Sequence, residues 1–138
     1  MSVILDSNFL FALRSGRDKN FKKAYEINSK IEQEKKKCMT SLFTANEVFN
    51  LSIFRTRGNV NNLEKYVSLF FGNDNFFKIY HFSEQELILI SDILRKYLTP
   101  KRLLSFTDAS LIYLYQKFNA DYIASFDRHF DHILNMDF

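Results

Sequence analysis

Residues 3–13, Val3-Ile4-Leu5-Asp6-Ser7-Asn8-Phe9-Leu10-Phe11-Ala12-Leu13, decide how the rest of the chain is read. Val3-Ile4-Leu5 is a short apolar run with two β-branched residues. It suits a strand buried on both faces rather than one that alternates at a surface. The run stops at an acid, Asp6. Ser7-Asn8 then offers capping side chains to a helix through Phe9–Leu13, ending near Gly16.

The pattern recurs outward from there. Residues 18–37 carry charge around Phe21, Ala24, Tyr25, Ile27 and Ile31, the spacing of an amphipathic helix. Cys38-Met39-Thr40-Ser41 reads as a second strand. Ser41 or Thr44 caps a helix bearing Val48, Phe49, Leu51 and Phe54. A further helix covers Asn61–Phe71, and Asn73-Asp74-Asn75 is a turn. Phe77–Tyr80 is a third strand, and Ser83-Glu84-Gln85-Glu86 is a capping box opening a helix to about Leu98. Ser105 or Thr107 starts the next helix. Tyr122-Ile123-Ala124-Ser125 is a fourth strand, followed at once by Asp127. Strands alternating with helices predict an α/β fold. Its central, mainly parallel sheet would have four or five strands flanked by helices. In such sheets ligands bind beyond the carboxyl ends of the strands, which draws attention to the acids placed there.

The composition agrees. The 138 residues fit one domain, 1–138. Apolar residues at 46% exclude a disordered chain, and 3 Gly with 1 Pro leave few forced breaks. One cysteine, Cys38, excludes an internal disulfide and fits a reducing compartment. The early acid argues against a secretory leader, and no apolar run approaches the roughly 18 residues of a membrane span. A cytoplasmic location is expected. No glycine-rich phosphate loop, serine elbow or cysteine nucleophile motif is present.

Asp6 ends the first strand, Glu47 lies on the helix after the second, Asp108 is in the first turn of a helix, and Asp127 follows the fourth strand. Each alone has an ordinary explanation as a cap, a dipole partner, a solvated position or a turn. Converged at one edge they repel, and cations must neutralise them. Hard oxygen donors without cysteine favour Mg²⁺ or Mn²⁺ over zinc. Such a metal pair, roughly 4 Å apart, can clamp both oxygens of a phosphodiester displacement.

These four segments resemble the ordered motifs of the PIN-domain ribonucleases: Leu5-Asp6-Ser7-Asn8-Phe9-Leu10, Ala45-Asn46-Glu47-Val48, Phe106-Thr107-Asp108-Ala109-Ser110-Leu111 and Ile123-Ala124-Ser125-Phe126-Asp127-Arg128-His129-Phe130. The resemblance covers nearly the whole chain. It implies a Rossmann-like PIN fold and a metal-dependent endoribonuclease, with Asp6, Glu47, Asp108 and Asp127 holding one or two Mg²⁺ or Mn²⁺ ions. It implies supporting roles for Asn8, beside the first acid, and for Thr107, before the third. Relatives of the VapC type are toxins paired with an antitoxin, and many are homodimers. Two departures stand out. His129 occupies a position where relatives often carry another Asp, and the short tail leaves little room for a last strand. The alternative is a PIN-like module that binds RNA or protein without turnover.

Between Arg14 and Lys37 the chain carries 9 basic and 4 acidic residues, which suits a solvated face or an RNA phosphate track. Arg55, Arg57 and Arg128 are the candidate substrate contacts. His129 and His132, three apart, would share a helix face. They lack the further ligands of a zinc site and read as tail residues, with His129 near enough to Asp127 to reach the site edge. Phe9, Phe11, Phe43, Phe49 and Phe54 read as core, and Phe70, Phe71, Phe76 and Phe77 as a partner surface.

Overall fold

The computed structural model describes residues 1–136. Its strands are β1 (Ser2–Leu5), β2 (Lys37–Ser41), β3 (Lys78–Tyr80) and β4 (Tyr122–Ala124). Its helices are α1 (Ser7–Ala12), α2 (Phe21–Gln33), α3 (Leu42–Arg55), α4 (Val60–Phe71), α5 (Glu84–Tyr97) and α6 (Phe106–Lys117). All strand pairs are parallel, in the order β3-β2-β1-β4. β1 therefore sits inside the sheet, and the strand order reverses on either side of it. The four-stranded form of the expected sheet is the one observed. Residues 125–136 add no strand, but the tail runs back along β4, where the Ile123 amide donates to the Asn135 carbonyl (2.9 Å).

The apolar run of β1 divides between two layers because successive side chains point to opposite faces. Val3 and Leu5 join Phe9, Leu10, Ile27, Ile31, Tyr66 and Leu69 under α1–α4. Ile4 joins Leu111, Ile112, Leu114, Ile123 and Phe130 under α5 and α6. The buried Tyr66 hydroxyl donates to the Phe11 carbonyl (2.9 Å), satisfying an acceptor at the end of α1.

Several local expectations change. Asp6, not Ser7 or Asn8, caps α1: its carboxylate accepts from the Ser7 amide. The amphipathic helix is shorter than its charge pattern, spanning Phe21–Gln33, because Lys35 takes a left-handed backbone (φ 51°) that ends it. After α3, Arg57 (φ 52°) and Gly58 (φ 76°) form a left-handed turn, the second aided by the missing Cβ. Phe54 is 78% exposed rather than core. Conversely, Phe70 and Phe77 are core rather than surface, while Phe71 is exposed. A helix period alone does not say which face of α3 or α4 meets the sheet. His129 and His132 share no helix face, since the 3₁₀ turn covers only Arg128–Phe130 and His132 turns left-handed (φ 66°).

The capping box at Ser83 is present, and Glu86 does more than cap. One of its oxygens accepts from the Ser83 amide (3.0 Å), the other from Tyr80 (2.7 Å) and Tyr113 (2.8 Å) hydroxyls, with Lys117 Nζ at 3.2 Å. The Ser83 bond first, then the tyrosine and lysine contacts, hold its carboxyl down to about 2, against a smaller opposing effect of burial. A depressed acid stabilises the fold above its unfolded value and loses that contribution as pH falls toward 2. Glu86→Gln should cost about 1–2 kcal/mol at neutral pH. The gap from wild type, read from chemical denaturation, should close on acidification; a gap that stays constant down to pH 3 would contradict this account. Among the described residues no helix is long and apolar enough to cross a membrane.

Candidate metal centre

The site forms where β1, β4 and the starts of α1, α3 and α6 meet at the carboxyl edge of the sheet. β1 ends at Leu5, whose carbonyl accepts from the Thr40 hydroxyl (2.6 Å), and the Asp6 amide donates to the Ala124 carbonyl (3.0 Å). The next side chain is thereby fixed at the strand end, and Asp6 is 2% exposed.

Two serines connect Asp6 to the other acids. Ser125 Oγ donates to Asp6 Oδ2 (2.6 Å) and accepts from the Asp127 amide (3.0 Å). Ser7 Oγ donates to Glu47 Oε1 (2.8 Å) and lies 3.3 Å from Asp6 Oδ1. Asn8 Oδ1 accepts from the Phe126 amide (3.0 Å), holding the loop that carries Asp127. Asp108 belongs to a second capping box: Ser105 Oγ accepts from its amide, and its Oδ2 accepts from the Ser105 amide, both at 2.9 Å. Ser105, not Thr107, starts α6. Thr107 contributes its carbonyl, which accepts from the Ser110 hydroxyl (2.6 Å).

His129 closes the arrangement. Its amide donates to Asp127 Oδ1 (2.9 Å), and its Nδ1 lies 3.3 Å from Asp127 Oδ2 and 3.5 Å from Asp108 Oδ2. One ligand atom from each of Asp108, Asp127 and His129 falls within 4.8 Å of the others. The structure thus joins all four sequence-selected acids into one network. Ser7, Ser125 and His129 complete it; the sequence reading had put His129 only at the site edge and had assigned neither serine to it. The two serines sit in the motifs already quoted, yet nothing in those motifs shows that they bridge acids distant in sequence.

The network is electrostatically tense. Burial raises the Asp6 carboxyl to about 7, helped by the nearness of Asp108 and Glu47, although the Ser125 and Ser7 hydrogen bonds oppose the rise. Asp108 is also raised, by burial and by Asp127, against its bonds to Ser105 and the contact with His129. The Lys and Arg salt bridges of the described residues lie elsewhere. The donors are carboxylate oxygens with one imidazole nitrogen, a set that fits a divalent cation such as Mg²⁺ or Mn²⁺.

The expected basic contacts differ in placement. Arg55 lines a cleft with Asn8, Arg17, Lys19, Asp127 and Arg128, and the cleft continues past Arg17 and Arg55 toward Arg14 and Lys65. Arg55 stacks over Phe11 (4.8 Å) and lies 3.6 Å from Asp18. Arg128 pairs with Asp131 (2.9 Å). Arg57 is exposed in the left-handed turn after α3.

The curated proteins contain no match to this sequence. Among solved structures, the chain is similar to VapC20 of Mycobacterium tuberculosis, described as a sarcin-ricin loop cleaving toxin. The two share 18% identity over 92% of this chain and 91% of that one, with a TM-score of 0.74, which speaks to the fold. The PIN domain family model matches residues 3–134, which include every acid of the network. By that match, and with a parallel sheet carrying the motifs in order, the chain belongs to the PIN-domain family.

Proposed function

We propose that this protein is a divalent-metal-dependent endoribonuclease of the VapC type, acting as the toxin of a toxin–antitoxin pair. The observation that carries the reading is the buried Asp6, linked through Ser7 and Ser125 to Glu47 and Asp127, with Asp108 close enough to raise its pKa. A fold tolerates such a cluster at neutral pH when a cation offsets it. Asp6, Glu47, Asp108 and Asp127 would hold one or two Mg²⁺ or Mn²⁺ ions. When bound, the cation supplies positive charge to the phosphodiester oxygens and acidifies water for attack.

The protein's own groups position the reaction. Ser7 and Ser125 orient the carboxylates, and Asn8 holds the loop that presents Asp127. Thr107 shapes the first turn of α6 through its carbonyl. The basic cleft beside Asp127 takes the flanking phosphates, with Arg17, Arg55 and Arg128 along it and Arg57 outside its lining. An RNA substrate, an antitoxin that covers the acidic edge, a homodimer and a cytoplasmic location complete the proposal, with residues 1–138 acting as one domain.

The test is cleavage of mixed cellular RNA by the purified chain. Mg²⁺ or Mn²⁺ should give discrete fragments, and EDTA should reduce the rate at least about a hundredfold. RNA binding without cleavage under every metal condition would instead identify a binding module that lacks turnover.

A further inference from the structure

The family position that often carries an Asp is His129 here, and its ring faces the acids. Its Nδ1 is buried and has no hydrogen-bond partner among the described residues, although it lies 3.3 and 3.5 Å from two carboxylate oxygens. A nitrogen enclosed by acids without a properly directed hydrogen bond is expensive to keep unless something else engages it. The ring is held by the local fold. Asp127 caps the 3₁₀ turn through the His129 amide, and Phe130, on the same turn, is fully buried.

We infer that His129 Nδ1 is a ligand, with Asp108 and Asp127, of a mixed nitrogen–oxygen metal site that selects Mn²⁺ over Mg²⁺. The inference rests on the metal-centre reading above and adds the identity of the ion. Nitrogen-to-oxygen gaps of this size are on the order of those between neighbouring ligands of an ion bound at about 2.1 Å. Asp127 turns Oδ2 to the imidazole and uses Oδ1 toward the His129 amide; Asp108 turns Oδ2, which accepts one hydrogen bond from the Ser105 amide and keeps a second lone pair. An imidazole adds little affinity for the hard Mg²⁺ ion, which prefers oxygen and water. It adds more for Mn²⁺ and the later transition metals.

The experiment uses metal-stripped full-length protein, titrated separately with MnCl₂ and MgCl₂. Binding is followed by the free Mn²⁺ EPR signal and by thermal shift, and bound Mn²⁺ by pulsed EPR for nitrogen coupling. Wild type should bind Mn²⁺ at least about thirtyfold more tightly than Mg²⁺ and show imidazole nitrogen coupling. His129→Gln should lose that coupling and reduce the preference about tenfold. His129→Asp should restore Mg²⁺ binding without it. Because the ring is partly exposed, neither change threatens the fold. Bound Mn²⁺ without nitrogen coupling, or a preference unchanged in His129→Gln, would overturn the inference and leave the carboxylate centre standing. If no divalent ion binds at millimolar concentration, the metal-centre reading falls with it.

Discussion

Asp6→Asn should abolish RNA cleavage and at the same time make the metal-free protein more stable in mild alkali. The first effect follows if Asp6 is a metal-holding carboxylate, and a loss of at least about a thousandfold is expected. The second follows from burial. Below about pH 4 the carboxyl is neutral in both folded and unfolded chains. Between there and about pH 7 the folded chain still holds the proton while the unfolded chain has released it. The contribution of Asp6 to stability is therefore full at low pH and is lost as pH rises through 7. A rise from 3.8 to about 7 corresponds to about 4 kcal/mol as an upper bound. Asn keeps an acceptor for the Ser7 amide and removes the charge. Without metal, the variant should exceed wild type at pH 8 by a few kcal/mol and match it below about pH 4. Added Mn²⁺ should stabilise wild type more than the variant, which keeps Asp108, Asp127 and His129 but lacks one carboxylate. Denaturant titrations at the two pH values, with and without metal, decide the matter. Equal stability of the two proteins at pH 8 would sink the electrostatic account, and undiminished cleavage would sink the role of Asp6.

Phe9→Ala should cost about 3–5 kcal/mol, a large share of the stability of a domain this size. Phe9 is fully buried on α1, against the face of the sheet that carries Val3 and Leu5. Its ring lies 6.5 Å from that of Phe126, beside Asp127, so a cavity there should lower metal affinity along with the unfolding midpoint. The contrast is Phe54→Ala on α3, which should change stability by less than about 0.5 kcal/mol because its ring is in solvent. Guanidinium unfolding of the two variants side by side checks both. Near-equal losses would mean that the assignment of core and surface phenylalanines is wrong.

That pair also shows what the sequence could convey. The strands were legible because a run such as Val3-Ile4-Leu5 has few other uses in a chain with so little glycine and proline. The acids were legible because three of them follow a strand or open a helix, where a parallel sheet exposes them. Phe54 and Phe70 were misplaced because both sit at helical spacing, and only the packing of α3 and α4 onto the sheet chooses which side is buried. Ser7 and Ser125 escaped as linkers because their roles depend on partners 40 and 119 residues away. Asp6 was read as following the strand and Ser7 as the cap. Asp6 does both, following the strand and taking the cap that its ordinary reading had offered, because the carboxylate turns back to accept from the Ser7 amide. His129 was placed near the site by its distance from Asp127 along the chain, but the inward turn of its ring belongs to the 3₁₀ geometry.

The central place of β1 bears on how the protein is made. β1 is synthesised well before β4, so its ladder with β4 waits for residues 122–124, and Asp6 waits for Ser125. Pairings this distant form late and slowly. A nascent chain halted between Asp108 and that segment carries Asp6, Glu47 and Asp108 without the loop that ties them together. Such a fragment should be harmless to the RNA around it. On the proposed activity, cleavage waits for residues 122–127, and the proposed neutralising partner has the interval before them in which to arrive.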